Sequence, residues 1–218
     1  MFTLHPRVRD GAEHDPDDRE AGTSMLEVVV GMALMSIFMA MFTGAILLMT
    51  KSTSKAESMT NVSTQTNNAF LKLDKIVRYA ADISTPGQSG GSGAWYVEIS
   101  TTNTGPQLCT QFRIDLATNQ LQQRSWTVLS TGAATPMNPA WIPLAGQVTN
   151  GDAAAGSTQP FQLSTGSGAV YEQLTVRLQT TDGSANTTST NNSTVTFSAV
   201  NSSLSNTAAT PCQQLGRP

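Results

Sequence analysis

The residue types that carry most protein chemistry are few in this chain, and they are unevenly placed. Its two histidines, His5 and His14, lie in an Asp/Glu-rich N-terminal stretch with the composition of disordered chain. No imidazole follows them, which removes Ser-His-Asp and Cys-His nucleophile arrangements and most zinc sites from the rest of the sequence. The phosphate-cradling GxxxxGK[ST] is absent, and no GxGxxG follows a strand pattern. The glycine-rich GQSGGSG, Gly87 to Gly93, comes after a helical pattern and reads as a linker. Paired carboxylates remain as a route to acid-base work, but nothing in the spacing of Glu98, Asp115 and Glu172 brings two of them together. The sequence therefore points away from an enzyme, and it indicates no cofactor and no metal.

One carboxylate stands out by its position. Glu27 lies where REAGTSMLEVVVGMALMS, Arg19 to Ser36, passes from polar to apolar chain. A carboxylate carried to a bilayer centre costs about 2.5 to 3.5 kcal/mol, so such a residue points to a partner. At the edge of the span it can also stay among headgroups at little cost, which is the simpler reading.

The element that holds Glu27 is long. From Val28 to Met49 the chain carries no charge, and its only polar interruptions are Ser36 and Thr43. As a helix this run is about 33 Å long, enough for a bilayer core of about 30 Å. Apolar on every side, it lacks the polar stripe of a surface helix. It is too long for a signal-peptide core, follows an acidic rather than a basic stretch, and ends in Met-Thr-Lys-Ser-Thr-Ser rather than a small-residue cleavage site. Beyond Lys51 the residues Met59, Val62, Thr66, Ala69, Phe70, Leu73, Ile76, Val77 and Ala80 recur at three- and four-residue steps. With no proline between Pro16 and Pro86, the pattern predicts one helix from about Met25 to Asp82, stopped by Ser84 to Gly87. Lys51, Lys55, Lys72, Lys75 and Arg78, alternating with Glu57, Asp74 and Asp82, form its expected solvated face.

After Pro86 the pattern turns to strands. Ala94 to Ser100, Leu108 to Leu116, Leu121 to Leu129, Ala169 to Thr180 and Ser193 to Val200 carry branched and aromatic residues between turn signals, with Ala-Thr-Asn-Gln, from Ala117, as a hairpin turn. Thr131 to Asn138, Thr149 to Thr158 and Asp182 to Asn192 read as exposed loops. An antiparallel sheet laid on the amphipathic half of the helix would bury both apolar faces. Trp95, Trp126 and Trp141 are expected as core or loop-anchoring residues, with a carbohydrate platform as the alternative.

Charged residues make up 12% of the chain and the formal charge is -3. With no basic block, nothing indicates nucleic acid. Solubility must come from Ser, Thr, Asn and Gln, which suits the outside of a cell. Cys109 and Cys212 have no CxxC or Cys/His neighbour. If the chain is exported, a disulfide between them is expected; two buried free thiols are the alternative.

Gly22-Thr23-Ser24-Met25-Leu26-Glu27, followed at once by the apolar run, resembles the processing site of type IV prepilins and type II secretion pseudopilins. Asn67 to Ile83, NNAFLKLDKIVRYAADI, is similar to the corresponding helix of larger minor pilins of the PilW, ComGF and GspJ kind. The resemblance implies an α+β, pilin-like fold: a leader over 1–22, a transmembrane or filament-core helix over 23–50, an amphipathic continuation over 51–84 and a β-rich extracytoplasmic head over 85–218. It implies cleavage between Gly22 and Thr23 by a prepilin peptidase, and pairing of Glu27 with a neighbouring subunit's new N-terminal amine. Thr23 stands where the family usually has Phe or Met. The implied protein is a structural subunit, of the minor type, in a type IV pilus or pseudopilus. Its partners would be other pilin or pseudopilin subunits, the membrane assembly platform, and the lipid bilayer before assembly. It would sit in the cytoplasmic membrane by a single pass and later in an extracellular filament. The competing expectation is a single-pass anchored extracytoplasmic binding protein or adhesin whose N-terminus is never cut.

Overall fold

The computed structural model describes residues 24–102, 105–156, 158–164, 170–181, 190–202 and 211–217. The expected leader, with Gly22 and Thr23, and most of the expected loop at Asp182 to Asn192 lie outside them. The chain divides into two compact units, Met1–Lys51 and Ser52–Pro218, and one uninterrupted helix, α1 (Met25–Arg78), contributes to both.

In the second unit α1 buries Val62, Thr66, Ala69, Leu73 and Val77. These recur every three or four residues, one stripe of a 3.6-residue helix. Met59, at the upper end of the predicted stripe, is exposed. The helix stops at Arg78, four residues before the sequence expectation. Asp82 is therefore not on its solvated face but is buried in a strand. The Ala81 amide already donates to the Ser100 carbonyl at 2.8 Å, and that of Ser84 to Glu98 at 2.9 Å. Pairing with a waiting sheet edge ends the helix before the proline does, because those bonds replace the ones a further turn would make.

The strands are β1 (Asp82–Ile83), β2 (Gly87–Gln88), β3 (Trp95–Thr101), β4 (Leu108–Asp115), β5 (Gln120–Val128), β6 (Ala134–Thr135), β7 (Ile142–Ala145), β8 (Phe161–Ser164), β9 (Glu172–Thr181) and β10 (Thr190–Ala199). All pair antiparallel, but in two sheets rather than one. A seven-stranded sheet runs β1-β3-β4-β5-β6, with β2 also on β3 and β7 also on β5; a three-stranded sheet runs β10-β9-β8. Gly87 to Gly93 is thus no linker: Gly87 and Gln88 pair with Tyr96 and Trp95 as the short arm of a hairpin. The expected loop at Thr131 to Asn138 contains β6, and Thr190 to Asn192 belong to β10. The turn between β4 and β5 places Asn119 at φ 52°, a left-handed position that Asn tolerates.

One apolar core joins the helix stripe to Ile83, Val97, Ile99, Phe112, Ile114, Phe161, Leu174, Val176, Phe197 and their neighbours from both sheets. The segment at 147–150 links the sheets. Val148 donates to the Asn119 carbonyl and Thr149 to that of Gln179, both at 2.8 Å, and buried Asn150 bonds to Gln179 N–H and the Arg177 carbonyl. The expected loop at Thr149 to Thr158 is therefore partly structural. Gly151 has to be glycine, since a Cβ there would lie 2.6 Å from Ile114 Cγ2 and from Leu116 Cδ2.

Strand β3 is buried on both faces. Trp95, Val97 and Ile99 enter the apolar core, while the alternate residues Tyr96, Glu98 and Ser100 face the other way. Residues 211–217 lie against that outer face, held to it by a disulfide between Cys109 and Cys212 and by a short 3-10 helix, Gln213–Leu215. Trp126 and Ala134 pack beside the disulfide in a second, smaller apolar cluster.

Candidate functional site

Two regions have the character of functional surfaces, one in each unit. In the first unit every residue of α1 from Met25 to Met49 is exposed. This is the one helix, among the described residues, long and apolar enough to cross a membrane, and it lies near the N-terminus. The hydroxyls of Ser36 and Thr50 donate to the carbonyls of Met32 and Leu47, at 2.7 and 3.0 Å, so the helix satisfies them itself. Glu27 occupies the first turn, where the helix dipole favours an anion, and its amide donates to the Ser24 carbonyl at 2.8 Å. Among the described residues its carboxylate has no hydrogen-bond or ion-pair partner.

In the second unit the outer face of β3, β4 and β5 carries a polar row set by register. Glu98 faces Gln111, which faces Arg124. Gln111 Nε2 donates to Glu98 Oε1 at 2.7 Å, and Arg124 Nε donates to Gln111 Oε1 at 2.7 Å. Arg217 closes the row from above with Nε to Glu98 Oε1 at 2.9 Å and Nη2 to Glu98 Oε2 at 2.6 Å. Ser84 Oγ also donates to Glu98 Oε2, and the Gly216 carbonyl accepts from both Gln111 and Arg124. Burial works to raise the Glu98 carboxyl, but the hydrogen bonds from Arg217, Ser84 and Gln111 and the Arg217 charge outweigh it and hold the group below the usual carboxylate range. Gly87 permits the fit, because a Cβ there would meet Arg217 Nη1 at 2.6 Å. Beside this row Trp141 lies over two guanidinium groups, Arg113 at 4.1 Å and Arg124 at 4.5 Å from the ring centroid. An open cavity of about 590 Å³ runs along the Ser84, Glu98 and Arg217 end of the row. The arrangement fastens residues 211–217 to the sheet; its chemistry is that of a lock.

Of the three carboxylates considered as acid-base candidates, Glu98 serves this lock and Asp115 pairs with Arg113 at 3.4 Å. Glu172 is buried on β9 near Asp82 of β1, a neighbour that sequence spacing did not indicate. Burial and then the Asp82 charge push its carboxyl up to about 7, against the Ile83 amide and Ser202, which lower it. Burial raises Asp82 as well, against the Ile83 amide. In the folded state Glu172 therefore keeps its proton over a range where the unfolded chain, near 4.5, loses it. The Glu172 contribution to folding stability is therefore expected to fall as pH rises from about 4.5 to about 7 and then to level off. Glu172→Gln is expected to match the parent near pH 4.5 and to be more stable by up to about 3 kcal/mol at pH 8. Urea unfolding at the two pH values checks this; an equal effect at both would remove the ionisation as its cause.

Cys109 and Cys212 are bonded to each other, with Cα atoms 5.6 Å apart. Gly22 and Thr23 lie outside the described residues, so Glu27 is the member of the expected processing site that the structure places. Trp95 and Trp126 are buried and Trp141 anchors a loop on two arginines, as core or anchoring residues do. The role of Arg217 was not read from sequence, since a lone arginine after Gln-Gln-Leu-Gly has no periodic neighbour to mark it. The strand alternation of TQFRIDL, with Gln111 and Arg113 opposed to Phe112 and Ile114, did carry a signal that a polar row faces away from the core.

Together these features define a class: a protein with one apolar N-terminal helix able to cross a membrane, continuing into an α+β unit closed by a disulfide. No protein-family model matches the chain, and no curated protein or solved structure is significantly similar to it.

Proposed function

We propose that this chain is a prepilin-like structural subunit, of the minor type, of a type IV pilus or pseudopilus, assembled through its N-terminal helix. The observation that carries this reading is one 54-residue helix with two different surfaces. Its first half is apolar and exposed throughout, and its second half buries one stripe in a β-rich core. An anchor that only held a head at the membrane would need no helix that goes on to bury a stripe in the head's core. A subunit that hands an apolar helix from lipid to a filament core does need one.

In this reading a prepilin peptidase cuts after Gly22 on the cytoplasmic side and frees the Thr23 α-amine. Glu27, partnerless among the described residues, then meets such an amine on the next subunit. Among packed apolar helices low dielectric strengthens that pair, and an unpaired carboxylate there would be costly, so the pair favours one axial stagger. The apolar run holds the subunit in the bilayer beforehand and packs against other subunits afterwards.

N-terminal sequencing of the membrane-bound protein from cells with an active prepilin peptidase is expected to begin at Thr23. An intact Met1 would sink the proposal and favour an anchored binding protein or adhesin. Glu27→Ala is expected to leave cleavage and membrane insertion unchanged while reducing incorporation into sheared filaments about tenfold or more, the effect of losing about 1.4 kcal/mol or more from a pair that must be made at assembly. Undiminished incorporation, read by immunoblot of the filament fraction, would remove the pairing role.

A further inference from the structure

The strand edges of the second unit are treated unequally. Strands β1, β2 and β6 are two residues long, and β7 is four residues long, contains Pro143 and meets β5 through a register shift. Strand β8 is four residues long and follows Pro160. Shortness, proline and bulges are the devices that keep an edge from recruiting another strand. Strand β10 has none of them. It is ten residues long, TNNSTVTFSA, with no charge, proline or glycine, and it pairs with β9 through ten consecutive residues without a bulge. It pairs with no other strand, and along 190–198 no described residue hydrogen-bonds to its far side.

We propose that the free edge of β10 is an interaction surface that takes the β10 of a second copy of this chain, antiparallel, making one continuous six-stranded sheet. The occupant follows from the residues. In an isologous antiparallel pair centred on Val195, residues 191–199 of one copy meet 199–191 of the other, which sets each Thr196 diagonal to its own copy, so a charge there is brought near its like. Strand β9, inside the sheet, carries Glu172 and Arg177, whereas β10 carries only Thr, Asn, Ser, Val, Phe and Ala. Two such strands can pair over nine residues, which the four-residue edge of β8 does not offer. The exposed Thr, Asn and Ser side chains of one copy would lie beside those of the other and exchange hydroxyl and amide hydrogen bonds.

Hydrogen exchange of the full chain in detergent micelles, across a hundredfold range of protein concentration, tests this at the β10 amides themselves. Association through the apolar helix leaves those amides unchanged. The β10 backbone amides that face away from β9 are expected to become at least tenfold more protected at the highest concentration. Thr196→Lys and Thr196→Glu, at an exposed position opposite Thr175, are each expected to abolish that concentration dependence. An equimolar mixture of the two should restore it. Slow exchange at every dilution would mean the chain covers its own edge, and fast exchange at every concentration would mean nothing pairs there. Either result overturns the proposal. So does concentration-dependent protection that both variants keep, or that their mixture fails to recover.

Discussion

Replacing both Cys109 and Cys212 by alanine is expected to destabilise the second unit by about 4 kcal/mol, lowering its melting temperature by roughly 10 °C. The bridge joins residues 103 positions apart, spanning everything from β4 to the segment on the outer face. For a loop of about that length the chain-entropy model gives about 4.7 kcal/mol. Both cysteines are buried beside Trp126, whose indole Nε1 donates to Gln214 Oε1 at 3.2 Å. Losing the bridge should therefore also free Gln213–Leu215 and expose the indole, which gives a second readout. Urea unfolding followed by tryptophan fluorescence checks both effects. A loss under about 1 kcal/mol would show that the lock at Glu98 holds residues 211–217 without the covalent bond.

Arg217→Met is the second large effect, an expected loss of about 3 kcal/mol. Its partner Glu98 has a side chain only 6% exposed, so removing the guanidinium leaves a nearly buried charge with Ser84 and Gln111 as its remaining side-chain donors. The Arg217 side chain is 27% exposed, which places the effect toward the lower end for breaking a buried pair. Glu98→Gln in the Arg217→Met background should recover most of the loss, because it removes the stranded charge and keeps an acceptor for Gln111. The pH dependence has a definite sign. Glu98 is held below its ordinary value, so its stabilising contribution is present above about 4.5 and is lost as pH falls through the lowered value. Parent and Arg217→Met should therefore converge in acid. A difference that persists undiminished at pH 2 would assign the loss to packing of the arginine stem instead.

Much of the fold was readable from periodicity, because it depends on local repeats. The apolar run, the stripe from Val62 to Val77, the aromatic and branched residues of Ala94 to Ser100 and the two-residue steps in Ala169 to Thr180 each mark an element whose partner is anything apolar. Elements of two to four residues were not readable. Strands β1, β2, β6 and β7 are too short to show a period and exist because a neighbouring strand offers unpaired backbone groups. For the same reason the helix ends at Arg78 and not at the proline.

The candidate sites divide in the same way. Sequence by itself determined the helix that can cross a membrane, with Glu27 in its first turn, and the two cysteines available for one bridge. Those properties reside in composition and order along the chain. Tertiary structure alone decided that there are two sheets, that Asp82 is buried near Glu172, and that Glu98, Gln111, Arg124 and Arg217 form one hydrogen-bonded row. Arg217 is 119 residues from Glu98, and Asp82 lies on a different sheet from Glu172. The pairing of such residues is set by strand register and by burial of the surrounding apolar faces, and neither leaves a mark in the local spacing of residues.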